Sequence, residues 1–113
     1  MGGNPQQVDA TTRVRRPAWV AHVRDGDITV LLHLPSGRRL GLPAEGTAVW
    51  QQVLAGGAEG VDAAEITQQV APAYAGDPQV IERDVVRLLG DLLSAGLVEV
   101  VVPEVVVTEG VEP

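Results

Sequence analysis

The fold is decided by one short segment, Arg38-Arg39-Leu40-Gly41-Leu42. It follows a turn at Pro35-Ser36-Gly37 and ends at Pro43, where a helix is predicted to begin. The segment is therefore predicted to be a strand that closes a hairpin and leaves one edge of a small sheet unpaired. Folded proteins normally cover the free backbone groups of such an edge, unless a partner adds a strand there. We therefore expect this edge to bind an extended peptide, and a proline at Leu40 to remove one of its donors.

Two further strands are predicted upstream. Residues 17–23 alternate well enough for a strand, and Asp25-Gly26 is a strong signal for a two-residue hairpin turn. The next strand, residues 28–34, places Thr29, Leu31 and His33 on one face and a set of apolar residues on the other, namely Ile28, Val30, Leu32 and Leu34. The three strands form an antiparallel meander, and so small a sheet needs a cover over an apolar face.

Three helices are predicted to provide that cover. The first spans residues 44–55 and ends at Gly56-Gly57. The second begins after Asp62, which forms a capping box with Glu65. Pro72 is expected to kink or shorten its last turn. The predicted fold class is therefore α+β, a three-stranded antiparallel sheet followed by three helices.

The third helix is predicted over residues 78–95, between an Asp77-Pro78 start signal and Gly96. Its apolar residues form two adjacent stripes: Ile81, Val85, Leu88 and Leu92, and beside them Val86, Leu89 and Leu93. Its charged border includes Asp84 and Arg87. One packing contact needs an arc of only about 100°. Either this helix packs against both the sheet and the other helices, or part of its flank forms a groove wall facing residues 38–42.

The ends of the chain are predicted to lie outside the folded domain. Residues 1–16 are rich in Gly, Pro, Gln and Thr without apolar periodicity, which favours a disordered arm. The domain is expected over residues 17–102, with a short strand within residues 98–102. Residues 103–113 are expected to form an acidic flexible tail.

The charge distribution favours a peptide over a nucleic acid as the partner. The net charge is −7 at pH 7, whereas neutralising phosphates requires a surplus of Lys and Arg. Arginines outnumber acids up to Leu42, and acids outnumber arginines after Gly76. A groove between these two parts of the chain would have one basic lip and one acidic lip, which suits a peptide that carries both signs.

The sequence predicts neither a catalytic centre nor a metal or cofactor site. It has no cysteine, and its two histidines, His22 and His33, lie in separate strand-like segments. The segment after Leu42 has glycines but lacks the Lys-Ser/Thr of a phosphate-binding loop. The longest apolar run of the chain falls well short of the roughly 20 residues of a membrane span, so we expect a cytoplasmic protein without a membrane partner.

The order of the motifs resembles the PqqD-like family. A strand and turn lead into Leu42-Pro43-Ala44-Glu45-Gly46-Thr47-Ala48-Val49-Trp50-Gln51-Gln52-Val53-Leu54, which is similar to the strand-to-helix signature of that family. Asp84-Val85, Leu88-Leu89 and Leu92 resemble the family's final helix, and Ser94-Ala95-Gly96-Leu97-Val98 resembles its exit. The resemblance covers roughly residues 18–102.

That resemblance implies a winged helix-turn-helix-like fold and a role as a RiPP recognition element, where RiPP denotes a ribosomally made, post-translationally modified peptide. Members bind the leader of a precursor peptide as a fourth strand between the third strand and the third helix. Carried over to this chain, the implied peptide-binding residues are Arg38, Arg39, Leu40, Gly41, Leu42, Asp84, Val86, Arg87, Leu88, Leu89 and Leu93. The chain is most similar to the discrete leader-binding proteins of lasso peptide biosynthesis, which work with a separate leader peptidase.

Two other functions stay open at this point. One is a carrier that presents a precursor to a radical SAM enzyme in pyrroloquinoline quinone biosynthesis. The other, from a different class, is a winged-helix DNA-binding regulator, against which the acidic character of residues 77–95 argues. A permanent structural subunit with a buried sheet edge is a further possibility.

Overall fold

The computed structural model describes residues 8–102. The elements in chain order are β1 (Val14–Arg15), β2 (Val20–Asp25), β3 (Ile28–His33), β4 (Arg38–Leu42), α1 (Ala44–Gly56), α2 (Ala63–Val70), α3 (Pro78–Ser94) and β5 (Glu99–Val100). Strands β2, β3 and β4 form one antiparallel sheet in that order, and three helices follow it. The predicted α+β class, with the sheet before the helices, is confirmed.

The sheet is a meander of two hairpins. In the first, Asp25 pairs with Ile28, so the two-residue loop is Gly26-Asp27, one residue later than the predicted Asp25-Gly26, and Gly26 adopts a φ of +63°. In the second, His33 pairs with Arg38, and Gly37 adopts a φ of +74°. Glycine suits both positions because a left-handed backbone is costly for other residues. These turns fix the register that places Thr29 opposite Leu42.

The helices cover only one face of the sheet, and it is the less apolar one. Thr29 and Leu31 are fully buried, whereas Val23 and Val30 on the other face are 68% and 38% exposed. The covering helix is α1, which follows β4 through Pro43 and packs on the side of the buried Leu42. By register that is the side of Thr29 and Leu31.

The helix boundaries match the predicted signals. Asp62 accepts the N–H of Glu65 at 2.9 Å, and Glu65 in turn accepts the N–H of Asp62 at 3.3 Å, which completes the capping box. Asp77 accepts the N–H of Gln79 at 2.9 Å at the start of α3. At the other end, Gly96 has a φ of +76°. Pro72 lies in a short 3₁₀ turn directly after α2, so that helix is shortened as expected.

The segment before the sheet differs from the predicted disordered arm. Val14 is fully buried and pairs with Val100, so β1 and β5 form a small second sheet. The same Val14 exchanges two backbone hydrogen bonds with Val61, at 2.9 and 3.0 Å. The predicted domain boundary at residue 17 is therefore too late, because residues 8–16 precede it and pack onto the domain. A two-residue strand between arginines has too little periodicity to be recognised in the sequence.

Arginine side chains reinforce this attachment. Arg13 donates to Gly60 O at 2.7 Å and to Glu65 at 3.2 Å, and Arg15 pairs with Glu99 at 2.8 Å. The expected short strand within residues 98–102 is present as β5. The predicted acidic tail, residues 103–113, and the first seven residues of the predicted arm lie outside the described residues.

Candidate functional site: a groove between the sheet edge and the third helix

Strand β4 forms an edge of the sheet, with β3 as its one partner strand among the described residues. Four of its five residues are exposed, from Arg38 to Gly41, and only Leu42 is buried. The edge is therefore accessible from solvent along most of its length. A free edge of this kind offers backbone donors and acceptors to an additional strand.

The hydrogen bonds identify which backbone groups point outward. Leu34 donates its N–H to Trp19 O in the direction of β2 at 2.9 Å, and His33 O accepts the N–H of Gly37 on the β4 side at 2.8 Å. Because these directions alternate along a strand, Thr29, Leu31 and His33 direct their backbone groups toward β4.

The partners of those three residues across the register are Leu42, Leu40 and Arg38. Their backbone groups therefore point back toward β3. The remaining two residues, Arg39 and Gly41, direct their N–H and C=O groups toward the free edge. The expectation that a proline at Leu40 removes a free edge donor is wrong for this reason, because Leu40 bonds β3.

Residues of α3 and of the segment directly after it line two cavities near the ends of β4, and the region between these cavities is here called the groove. At one end of the groove is a cavity of about 300 Å³, here called the Leu40 cavity. Its lining residues come from the β3–β4 hairpin and from the end of α3: His33, Arg38, Arg39, Leu40, Ala95 and Leu97. The start of β4 thus faces the end of α3.

At the other end is a cavity of about 240 Å³, here called the Leu88 cavity. Its lining residues come from the start of α1, the region after α2 and the first half of α3: Glu45, Gly46, Val49, Val70, Tyr74, Ile81, Asp84, Val85 and Leu88. Most of this lining is apolar, and the two carboxylates Glu45 and Asp84 are exposed. The Leu88 cavity has no β4 residue in its lining, but its Gly46 lies against the side chain of Leu42 at the end of that strand. The start and the end of β4 therefore each adjoin a cavity to which α3, or the segment directly after it, contributes.

Of the α3 residues that were predicted to bind the peptide, some line the groove and others do not. Asp84 and Leu88 line the Leu88 cavity, whereas Leu89 is fully buried in the core. Val86 and Leu93 are half-buried against that core, and Arg87 is exposed. Val86 precedes Leu88 by two residues, so at about 100° per residue it lies on nearly the opposite side of the helix.

All five predicted strand residues lie on β4. Arg38, Arg39 and Leu40 line the Leu40 cavity, Gly41 contributes outward backbone groups, and the side chain of Leu42 is buried beneath the groove. The sequence analysis missed several lining residues, namely Glu45, Gly46, Tyr74, Ile81, Ala95 and Leu97. Of these residues, only Ile81 could have been identified from the sequence. Its helical spacing to Asp84 and Leu88 places it on the same side of the helix as those two residues.

The charges of the groove are not neutralised within the described part of the chain. There, salt bridges within 4.0 Å involve only Arg13 and Arg15. Arg38 and Arg39 at one end, and Glu45 and Asp84 at the other, therefore have no ionic partner among residues 8–102. The groove is basic at the Leu40 cavity and acidic at the Leu88 cavity.

Among residues 8–102, no group of three or more His, Cys, Asp or Glu side chains is arranged to hold a metal ion. None of the helices in this range has the length and apolar character needed to cross a membrane.

Comparison with known proteins identifies the family and structures of similar fold. A family model described as coenzyme PQQ synthesis protein D (PqqD) matches residues 29–98. No relative is found among curated proteins. Of the solved structures, TbiB1 in complex with the TbiA(beta) leader peptide is 29% identical, with a TM-score of 0.69 over 75% of this chain and 94% of that one.

Two other structures have a similar fold. The PqqD truncation of Methylobacterium extorquens PqqCD, described as a functional, stand-alone RiPP recognition element, is 26% identical with a TM-score of 0.67. The alignment covers 84% of this chain and 97% of that one. Lasso peptide synthetase B1 complexed with the leader peptide is 22% identical with a TM-score of 0.67, covering 77% and 98% of the two chains, and shows the fold alone.

Proposed function

The chain belongs to the PqqD family, and on that premise we propose that it binds the leader segment of a ribosomally synthesised precursor peptide. The leader adds as a strand to the free edge of β4, in the groove against α3. The protein then delivers the leader to a separate leader peptidase. Its own contribution is recognition, and the chemistry is carried out by the partner enzyme.

The observation that carries this proposal is the outward direction of the Arg39 and Gly41 backbone groups at an exposed edge. Two residues with free N–H and C=O groups provide up to four hydrogen bonds for an added strand. Main-chain bonds of this kind give affinity without selecting a sequence. Selection then comes from the side chains of the two cavities at the ends of the strand.

Lasso peptide biosynthesis is the pathway we favour. It follows from the sequence resemblance to the discrete leader-binding proteins of lasso peptide biosynthesis. The 29% identity to TbiB1, which was solved with the TbiA(beta) leader peptide, supports leader binding itself. The pyrroloquinoline quinone pathway is the second candidate, and the description of the matching family model favours it. The precursor encoded beside the gene distinguishes the two, because each pathway modifies its own precursor.

Calorimetry with the leader of that precursor tests the proposal. Gly41→Pro removes one outward N–H and leaves the bonds to β3 in place, since proline is tolerated on an edge strand where its N–H side faces solvent. Gly41→Ala is the matched control, because it keeps the N–H and its added Cβ meets no other atom within 4 Å. We expect Gly41→Pro to weaken binding about tenfold and Gly41→Ala to bind like the wild type.

Two results would contradict strand addition at β4. One is equal affinity for Gly41→Pro and Gly41→Ala, provided that circular dichroism shows both to be folded. The other is a failure of the wild-type protein to bind the leader of the neighbouring precursor at all. A gel shift with duplex DNA at low salt serves as a further control, because a DNA-binding regulator would bind nonspecifically there.

A further inference from the structure

The charges and cavities of the groove define the pattern of peptide that it selects. We propose that the bound segment runs antiparallel to β4 and carries, on one face, three side chains that the groove recognises. These are a large apolar side chain, a basic side chain two residues before it, and an acidic side chain four residues after it. This inference rests on the proposed strand addition and extends it to the chemistry and direction of the ligand.

The register decides which peptide side chains enter the groove. Leu40 lies on the helix-covered face of the sheet, because it pairs with the fully buried Leu31. Arg38 and Leu42 share that face, since side chains alternate along a strand. Peptide residues placed opposite Leu42, Leu40 and Arg38 therefore direct their side chains toward α3. The intervening peptide residues, opposite Arg39 and Gly41, make the backbone hydrogen bonds and direct their side chains away from the helices.

The positions of the cavities give the spacing. Peptide residues opposite Leu42 and Arg38 are four apart, which corresponds to about 13 Å in a strand. On the other wall, the Leu88 cavity reaches from Asp84 to Leu88, and the Leu40 cavity reaches Ala95. At about 1.5 Å per residue, Ala95 lies roughly 10 to 16 Å along α3 from those two residues. One strand can therefore place two side chains, four residues apart, in both cavities.

The chemistry of each cavity gives the residue types. The Leu88 cavity has a mainly apolar lining and takes the apolar side chain, while Glu45 and Asp84 beside it attract the basic one. At the Leu40 cavity, the side chain of Arg38 lies on the helix-covered face and attracts the acidic one. None of these three charges has an ionic partner within residues 8–102, so a ligand can supply it.

The direction of the peptide sets the order of its charges. Both strand pairs in this sheet are antiparallel, and antiparallel pairing is the slightly more stable kind. An antiparallel peptide has its N-terminal part near Glu45 and Asp84 and its C-terminal part near Arg38. The basic residue therefore comes first and the acidic residue last.

Two synthetic peptides of identical composition test this inference. The first contains Lys-Thr-Leu-Ser-Val-Thr-Glu and the second Glu-Thr-Leu-Ser-Val-Thr-Lys, each flanked by Ser and Thr and blocked at both ends. Each is titrated into ¹⁵N-labelled protein, and the shifts of the Arg39 and Gly41 amides report the dissociation constant. We expect the first peptide to bind at least about fivefold more tightly, because the second places like charges together at both ends.

A triple charge reversal, Arg38→Glu with Glu45→Lys and Asp84→Lys, provides the matched control, since it exchanges the signs at both ends without altering the backbone edge. This variant should prefer the second peptide. Equal affinities for the two peptides, an unreversed preference in the variant, or no binding of either peptide would overturn the inference. The proposed function is tested separately, by the binding of the natural leader and by the Gly41→Pro variant.

Discussion

Leu31 and Leu40 are paired directly across β3 and β4, yet Leu31 is fully buried whereas Leu40 is 38% exposed. Both side chains lie on the helix-covered face of the sheet. The boundary of the hydrophobic core therefore falls between two adjacent strands. Beyond that boundary the covered face continues into the groove.

Alanine substitutions at these two positions should have different effects, one on stability and the other on leader binding. Leu31→Ala creates a cavity in the core and should lower the free energy of unfolding by about 2 to 5 kcal/mol. Leu40→Ala removes a partly solvated side chain, so it should cost about 1 kcal/mol or less and weaken leader binding instead. Urea denaturation and calorimetry measure the two effects. A Leu40→Ala variant that binds normally would show that this side chain does not contact the leader.

The attachment of β1 predicts a second difference in stability. Val14→Ala should lower the free energy of unfolding by about 2 kcal/mol, because two buried methyl groups are lost. The control is Val102→Ala, since Val102 is 74% exposed and should change stability by less than about 0.5 kcal/mol. If thermal denaturation shows the two variants to be equally stable, β1 contributes nothing to the domain and the disordered-arm interpretation is restored.

Two buried threonines should respond in opposite ways to valine. The Thr29 hydroxyl is buried without a hydrogen-bond partner in the described part of the chain, whereas Thr47 donates to Leu42 O at 3.2 Å. Thr29→Val removes an unsatisfied polar group and should stabilise the protein by about 1 kcal/mol. Thr47→Val removes the buried hydrogen bond from the hydroxyl to Leu42 O and should destabilise the protein by a similar amount. Melting temperatures that move in the same direction for both variants would contradict this account.

The uncovered face of the sheet predicts unusual tolerance of polar residues. Val30→Thr should change the free energy of unfolding by about 1 kcal/mol or less, because Val30 is partly solvated on the uncovered face and threonine keeps its β-branched shape. Leu31→Thr, one residue further and on the covered face, should cost several times more. Chemical denaturation of the two variants distinguishes a sheet that is covered on one face from a sheet that is packed on both faces.

The backbone directions at β4 also allow a comparison of two prolines. Leu40→Pro should reduce stability by about 3 kcal/mol because it removes a hydrogen bond to β3, whereas Gly41→Pro should cost clearly less. Hydrogen exchange of the β3 amides measures the effect on the hairpin. Faster exchange in Gly41→Pro than in Leu40→Pro would mean that the two residues point in the directions opposite to those inferred.

The sequence by itself determined the local elements of this protein. Its turn residues, capping box and helix start signals are short-range interactions between residues a few positions apart, so Asp25-Gly26, Asp62 with Glu65, and Asp77-Pro78 could be read directly. Only the tertiary structure decided which face of the sheet is covered, that Val14 is anchored between Val61 and Val100, and which flank of α3 lines the groove. These depend on contacts between residues distant in the chain, and apolar periodicity identifies a face without identifying what packs against it.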